Sequence, residues 1–226
     1  VPGKSLNWAF QTTPQPGLNG RRGYQPRGKV LGGSSAINAM IYTRGHAWDY
    51  DHWAALGNPG WSFADVLPYF KASQNQERNR DLGGDDYHGI GGPLNVADLR
   101  SPNPLAQAFV DAGAEIQLPR NDDFNGPEQE GVGSYQVTQI GGERCSAARA
   151  YLDPARQRDN LSILTGAYAT KIILEGKRAV GVTYEQNSRM GEVRAGRDVI
   201  LSAGAFQSPQ LLLLSGIGPG AELQRH

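Results

Sequence analysis

Residues Arg27 to His46, RGKVLGGSSAINAMIYTRGH, restrict the fold of this chain most, because they place glycines, serines and an asparagine in one short segment. Gly32 and Gly33 have no Cβ, so they can take positive φ and let a ligand approach the main chain. Ser34 and Ser35 are typical helix caps, and the free amides at a helix N-terminus favour a phosphate. The segment predicts a turn and helix start that bind an anion, although a plain glycine turn before a capped helix has the same pattern.

Composition excludes several classes of protein. The 226 residues suffice for one large domain or two small ones, and 22 basic against 22 acidic residues give no net charge. This balance offers no electrostatic argument for a nucleic-acid partner. The longest apolar run, Leu211 to Leu214, is far shorter than the roughly 20 residues of a membrane span. With one cysteine, Cys145, an internal disulfide is impossible, so a cytoplasmic location is expected, with a peripheral place at the membrane left open.

The first half of the chain predicts two helices. Ser62 and Asp65 form a capping-box pattern, which predicts a helix over residues 62–74. Pro102 or Pro104 starts a second helix that ends at Pro119. The apolar face predicted for this second helix consists of Leu105, Phe109, Ala112 and Ile116. Residues 1–26 are expected to be an extended surface segment, and residues 75–93 a loop.

From Leu161 onward the apolar pattern has a period of two. The runs LSILT, ATKIIL and AVGVTYE predict the strands of a β-meander. The fully apolar Val199 to Leu201 predicts a buried strand of an α/β sheet, and Ser208 before Pro209 predicts a helix start. Gly216, Gly218 and Ala221 match a dinucleotide fingerprint in spacing only. They follow the apolar run Leu211 to Leu214, which ends the helix predicted from Pro209, so a helix C-terminal turn is predicted instead.

The segment 27–46 and its continuation, YTRGHAWDYDHWAALGNPGWSFADVLPYF, resemble the first signature of the glucose-methanol-choline (GMC) oxidoreductases, flavoenzymes that oxidise alcohols. The run GAFQSPQLLLLSGIG, from Gly204 to Gly218, resembles their second signature. Two signatures in the right order are more specific than either alone. The resemblance extends over essentially the whole chain, is closest to the choline-dehydrogenase-like branch, and implies a central fragment of such an enzyme.

The resemblance implies a mixed α/β (α+β) fold: an incomplete FAD-binding, Rossmann-like domain with part of an antiparallel-sheet substrate domain. Residues 1–75 would form the FAD-binding segment with the first signature. Residues 76–150 would form part of the substrate domain and a connecting region. Residues 151–226 would return to the FAD-binding domain with the meander, a sheet strand and the second signature.

The resemblance also implies which residues lie against FAD. Ala169 would hold the adenine through its backbone, although a plain sheet residue would look the same, and Ala203 would lie at a strand end beside the ADP moiety. Some relatives carry, at the position of Ile37, a histidine bonded to the flavin, so FAD is expected to be non-covalent here. The full set of expected cofactor residues is Val30, Gly33, Ser34, Asn38, Ala39, Ile41, Ala169 and Ala203.

The expected reaction is FAD-dependent oxidation of an alcohol to an aldehyde or ketone, by hydride transfer to flavin N5. The partners implied are a small-molecule alcohol substrate and oxygen or a quinone as electron acceptor. In the family, the catalytic histidine and the GxGxxG loop lie outside the region that matches this chain, so no catalytic residue is assigned. The alternative is a non-catalytic remnant or binding module that lacks the histidine, which predicts a stop directly after residue 226.

Three further groups contain residue types that can carry chemistry. His46, Asp49 and His52 are spaced too widely for a metal site on one helix face, so no metal site is expected. Cys145 has no obvious base nearby and is expected to be inert. His88 lies alone in a glycine-rich loop, and the sequence leaves its role open.

Overall fold

The structure is a computed structural model that describes residues 5–78 and 80–225. The chain divides into two compact units, Val1–Arg158 and Asp159–His226. Both helices and small sheets are present, which confirms the predicted mixed fold. The predicted division into three domain segments stays a prediction.

The first unit begins with a short hairpin. Strand β1 (Phe10–Gln11) pairs antiparallel with β2 (Tyr24–Gln25), and a 3-10 turn at Pro16–Leu18 lies between them. The segment over residues 1–26, predicted to be extended surface chain, therefore contains one short antiparallel hairpin. A second 3-10 turn follows at Gly33–Ala36.

Two capped helices come next, α1 (Ala47–Ala55) and α2 (Phe63–Ser73). Each starts with a capping box, in which a side chain and a backbone amide three residues apart satisfy each other. In α2 the Ser62 side chain accepts from the Asp65 amide while the Asp65 carboxylate accepts from Ser62. The predicted helix over residues 62–74 is confirmed.

A buried parallel strand pair follows α2. Strand β3 (Gln74–Gln76) pairs with β4 (Leu94–Val96), and a 3-10 turn at Arg80–Leu82 lies between them. The prediction that residues 75–93 are a loop is wrong at its start. The polar sequence Gln-Asn-Gln did not indicate a strand, yet Gln74 and Gln76 are buried there and hydrogen-bond to other side chains: Gln74 accepts from Arg44, and Gln76 donates to Gln136.

Helix α3 (Pro104–Glu115) starts at Pro104, with the Asn103 side chain accepting from the Leu105 amide. Its predicted apolar face is wrong: Ala112 is exposed, and Leu105, Phe109 and Ile116 are 77%, 74% and 73% exposed. The buried stripe contains Val110 and Gly113 instead. A Cβ on Gly113 would lie 3.0 Å from the Val132 methyl groups, so the missing side chain lets the helix approach Val132. The helix ends before Pro119, because Gln117 takes a positive φ of 67°.

The first unit closes with a hairpin and two helical turns. Strands β5 (Gln139–Ile140) and β6 (Glu143–Arg144) pair antiparallel, and turns follow at Ala148–Leu152 and Asp153–Ala155. The core of this unit is small and valine-rich. Its buried apolar residues are Val96, Ala97, Val110, Val132, Val137, Cys145 and Ala150.

The second unit contains an antiparallel meander of β7 (Ala167–Glu175), β8 (Arg178–Gln186) and β9 (Arg189–Arg194), in that order. Asn187 and Ser188 form the tight turn between β8 and β9 with φ of 50° and 60°, which is typical of a type I′ hairpin. The meander is confirmed for ATKIIL and AVGVTYE. The predicted strand at LSILT is wrong, because residues 161–165 make no strand pairing.

The predicted strand at Val199 to Leu201 is also wrong. Ile200 is 86% exposed, and no strand in the described part of the chain pairs with it. A parallel strand is stable only between neighbours, so an apolar run without them stays irregular.

Helix α4 (Gly204–Leu214) begins five residues before Pro209, the predicted first residue, which lies inside it. Ser208 does not cap it in the usual way; its hydroxyl accepts from the Ala203 amide, 3.1 Å away. At the other end, Gly216 at φ 81° donates to the Leu213 carbonyl and Ile217 donates to Leu212. These two bonds form a Schellman motif, which confirms the predicted helix C-terminal turn.

Helix α4 packs on β7 within the second unit. The Ser215 hydroxyl accepts from the Ile172 amide at 2.8 Å and donates to the Leu211 carbonyl at 2.6 Å. Ile172 and Leu211 are buried. A short helix, α5 (Gly220–Leu223), follows. Across the described residues, no helix has both the length and the apolar character needed to cross a membrane.

Candidate cofactor site

The glycine segment forms a tight, partly exposed turn in the first unit. Gly32 and Gly33 take positive φ of 86° and 53°, as predicted. Ser34 and Ser35 do not cap a helix as expected. Both serines lie inside the 3-10 turn Gly33–Ala36, and the N-cap residue is Gly32. The turn ends after four residues, because the backbone of Ile37 leaves the helical region.

Both serines instead fasten the turn to neighbouring chain. The Ser34 hydroxyl accepts from the Gly28 amide at 3.2 Å. The Ser35 hydroxyl donates to the Gly32 carbonyl and accepts from the Ala147 amide at 2.8 Å. The turn is therefore held from both sides by hydrogen bonds from its own serines.

Three hydrogen-bond donors next to this turn are unused. Asn38 Oδ1 accepts from Met40 N at 3.0 Å and from Arg144 Nη1 at 2.9 Å, which leaves Asn38 Nδ2 with no acceptor among the described residues. The backbone N–H groups of Ala39 and Ile41 likewise donate to no atom in the ranges 5–78 and 80–225. Asn38, Ala39 and Ile41 are all exposed residues.

The predicted cofactor residues fall into two groups. Six of them lie on or beside the turn in the first unit: Val30, Gly33, Ser34, Asn38, Ala39 and Ile41. Ala169 lies in β7, opposite Tyr184 and next to a β-bulge at Thr170. Ala203 is the N-cap residue of α4, and its amide is already bonded to Ser208. Their contacts with FAD stay predictions.

His46 and His52 both have partners within α1. His46 Nδ1 accepts from Trp48 N at 3.1 Å while Asp49 accepts from His46 N at 2.8 Å, which together cap α1. His52 stacks on Trp48 with ring centroids 4.8 Å apart. The described residues contain no cluster of three or more His, Cys, Asp or Glu side chains that could hold a metal.

His88 is the residue whose importance the sequence missed. It is only 2% exposed, and its Nε2 lies 2.7 Å from Asp123 Oδ2. Its Nδ1 lies 3.1 Å from Gln74 Nε2. No local sequence pattern predicts these contacts, because Gln74 and Asp123 lie 14 and 35 positions from His88.

A buried arginine orients the Gln74 amide beside His88. Arg44 Nη2 donates to Gln74 Oε1 at 2.6 Å, and its Nη1 donates to the Tyr87 carbonyl at 2.8 Å. Because a guanidinium only donates, the oxygen of Gln74 faces Arg44 and its nitrogen faces His88. In the tautomer that this orientation favours, Nδ1 of His88 accepts from Gln74 Nε2 and Nε2 donates to Asp123 Oδ2.

This buried polar network, defined as Arg44, Gln74, His88, Asp123 and Asn125, joins four distant parts of the first unit. Asn125 closes it: Asn125 Oδ1 accepts from Arg44 N at 2.7 Å, and Asn125 N donates to Asp123 Oδ1 at 3.0 Å. Through Arg44, the network therefore holds the end of the Arg27 to His46 segment in place.

Asp123 is the one acid of this network, and its pKa is lowered. Burial by itself raises the pKa of this carboxyl. The hydrogen bonds from His88 and from the Asn125 amide, with the nearby positive charge of Arg78, together outweigh burial and hold the pKa below its ordinary value. The folded protein therefore favours the ionised form.

We expect stability to fall in acid partly through Asp123. Because its pKa is lower in the folded than in the unfolded chain, the carboxylate contributes stability above its unfolded pKa of about 4 and loses it as the pH falls through the folded pKa. Chemical denaturation at neutral pH and at about pH 3 checks this for the wild type and for Asp123→Asn. The wild type should lose more stability between the two pH values than the variant; equal losses would contradict the assignment.

Comparison with known proteins identifies the family of this chain. A family model described as GMC oxidoreductase matches residues 9–226. The chain is 49% identical over 223 residues to an oxygen-dependent choline dehydrogenase of Brucella anthropi, and 50% identical over 225 residues to an alcohol dehydrogenase [acceptor] of Pseudomonas putida. Each alignment covers 99% of this chain and 40% of the relative, so the chain spans about 40% of the length of these relatives.

Solved structures show the same fold. Pyridoxine 4-oxidase from Mesorbium loti superposes with a TM-score of 0.89 at 39% identity, over 97% of this chain and 43% of that protein. An FAD-dependent oxidoreductase from Chaetomium thermophilum superposes with a TM-score of 0.87 at 32% identity, over 99% of this chain and 43% of that protein. Since the family model matches nearly every residue and the fold agrees, the chain belongs to the GMC oxidoreductases.

Proposed function

We propose that the protein containing this chain is an FAD-dependent enzyme that oxidises a small alcohol to an aldehyde or ketone, and that this chain supplies part of its cofactor site. The observation that carries the proposal is the row of unused donors at Asn38, Ala39 and Ile41 beside the glycine turn. The names of the relatives, choline dehydrogenase and alcohol dehydrogenase, support alcohols as the substrate class.

The residues of the turn fit a dinucleotide. Its pyrophosphate needs hydrogen-bond donors and close approach to the main chain. The Asn38 side chain and the amides of Ala39 and Ile41 supply the donors. At Gly33 a Cβ would meet nothing within 4 Å, so the main chain there borders open space that a cofactor can occupy.

This chain contributes binding and position, while the cofactor contributes the redox chemistry. When bound, FAD accepts hydride from the carbon that carries the alcohol. The Gly32–Gly33 turn holds its shape through the two serine hydroxyls and therefore presents the donors in a fixed geometry. A cytoplasmic location fits the single, buried Cys145.

The proposal is tested on the full-length protein encoded by the reading frame that contains this chain. Purified protein is supplied with FAD and tested with choline, an aliphatic alcohol and an aryl alcohol, using a dye as electron acceptor. Reduction of the dye that depends on one of these alcohols supports the proposal. Bound FAD without oxidation of any alcohol would favour the non-catalytic binding module instead. An oxygen electrode and a quinone then distinguish the two proposed acceptors.

We expect the FAD to be bound without a covalent link. Ile37, at the position where some relatives carry a flavin-bonded histidine, has a saturated hydrocarbon side chain that cannot form such a bond. Denaturing the holoenzyme with acid should release essentially all of the flavin into the supernatant, where its absorbance is measured. Flavin that remains with the precipitated protein would show a covalent attachment elsewhere.

A further inference from the structure

Arg144 reaches from β6 to the glycine segment more than a hundred residues away. Its Nη1 donates to the Ser35 carbonyl at 3.0 Å and to Asn38 Oδ1 at 2.9 Å. One guanidinium nitrogen therefore bridges the end of the 3-10 turn and the asparagine that follows it. Arg149 holds the backbone of Arg144 in place, because Arg149 Nη1 donates to the Arg144 carbonyl at 3.3 Å.

The contact decides which way the Asn38 amide faces. Its two neighbours, Arg144 Nη1 and Met40 N, are both pure donors, so the side-chain oxygen must face them. The amide nitrogen is left as the outward group. Without Arg144, only one backbone amide would hold the oxygen, and the side chain could rotate to present either an acceptor or a donor.

The charge of Arg144 is not neutralised locally. None of the ion pairs formed by the described residues includes Arg144; the neighbouring Glu143 pairs with Arg149 instead, at 2.9 Å. A charge-assisted hydrogen bond to the amide oxygen is stronger than a neutral one. It also polarises the amide, which makes the nitrogen a better donor to an anion.

We propose that Arg144 is a positioning residue for the cofactor: through Asn38 Oδ1 it fixes the Asn38 amide so that Nδ2 donates to the pyrophosphate of FAD. This inference rests on the proposed function. Arg144 acts through Asn38 and not on the cofactor directly. If the Asn38 amide were reversed, its oxygen would face the pyrophosphate and be repelled by the phosphate charge. The hydrogen bond between Arg144 and Asn38 therefore selects the orientation of the Asn38 amide that binds the cofactor.

A double-mutant cycle on the full-length apoprotein tests the coupling, with FAD affinity measured by quenching of flavin fluorescence. Arg144→Ala should weaken FAD binding about tenfold, which corresponds to roughly 1.4 kcal/mol. In an Asn38→Ala background the same change should weaken binding less than about threefold, because the group that it positions is gone. A merely structural role would give the same loss in both backgrounds.

Two further variants serve as a control and as a replacement for the alanine variant. Arg100→Ala is the matched control, because Arg100 donates to the Gly141 carbonyl and makes no contact with Asn38; FAD affinity should stay unchanged. Arg144→Leu, which removes the donor but keeps an apolar side chain, is measured in parallel and carries the cycle if the alanine variant does not fold. Melting temperatures of the apoproteins separate loss of fold from loss of affinity.

The outcomes separate the two proposals. Wild-type FAD binding with equal losses in both Asn38 backgrounds would overturn the positioning role and leave the proposed function standing. A wild-type protein that does not bind FAD would overturn the proposed function and this inference with it. Coupled losses with unchanged melting temperatures support both.

Discussion

Replacing His88 by leucine is expected to lower the free energy of unfolding by about 2–4 kcal/mol, because the unsatisfied buried amide of Gln74 costs about 1–3 kcal/mol and the half-buried Asp123 loses a hydrogen bond worth about 1 kcal/mol. Gln74, which is completely buried, loses the acceptor for its amide nitrogen. Asp123 loses the donor at 2.7 Å that holds its carboxylate. Denaturant titration of the full-length protein measures the change.

Two further variants show that the loss comes from the polar contacts. His52→Leu makes the same chemical change at an exposed position and should shift stability by less than about 0.5 kcal/mol. His88→Gln should recover part of the loss, because a glutamine can accept from Gln74 with its oxygen and donate to Asp123 with its nitrogen, as the Nε2-protonated ring does. If His88→Leu were as stable as His52→Leu, the buried polar network would not be holding these segments together.

The sequence predicts the elements of this fold that depend on neighbouring residues. The capping box of Ser62 and Asp65 and the Schellman turn at Gly216 use contacts only a few positions apart, and both are confirmed. The apolar runs at Leu161 to Thr165 and Val199 to Leu201 failed for the opposite reason. Whether such a run becomes a strand depends on a neighbouring strand, which a local pattern does not contain.

The candidate site was predictable only in part, for the same physical reason. The positive φ of Gly32 and Gly33 follows from their missing Cβ, so that prediction is confirmed. The capping role of Ser34 and Ser35 is wrong, because both hydroxyls find partners outside the turn. The buried polar network around His88 joins residues from 44 to 125, and a sequence pattern gives no sign of such long-range hydrogen bonds.

Replacing Gly28 by alanine is expected to disrupt the cofactor segment and weaken FAD binding about a hundredfold, since overpacking against backbone costs about 3 kcal/mol. A Cβ on Gly28 would lie 2.0 Å from the Gly33 carbonyl oxygen and 2.8 Å from Ser34 N. Both are main-chain atoms of the turn, so no side-chain rotation relieves the contact. Gly28 also forms a β-bridge with the buried Asn7, which restricts its own movement.

The turn must therefore move away from Gly28, and the donors that follow it at Asn38, Ala39 and Ile41 move with it. Gly17→Ala is the matched control: a Cβ there meets nothing within 4 Å and the backbone has no positive φ, so FAD affinity should stay at the wild-type value. Fluorescence titration with FAD measures both variants, and apoprotein melting temperatures show whether the rest of the fold is intact. Wild-type affinity in a folded Gly28→Ala protein would mean that the cofactor does not depend on the position of this turn, and the donors beside it would then belong to another function.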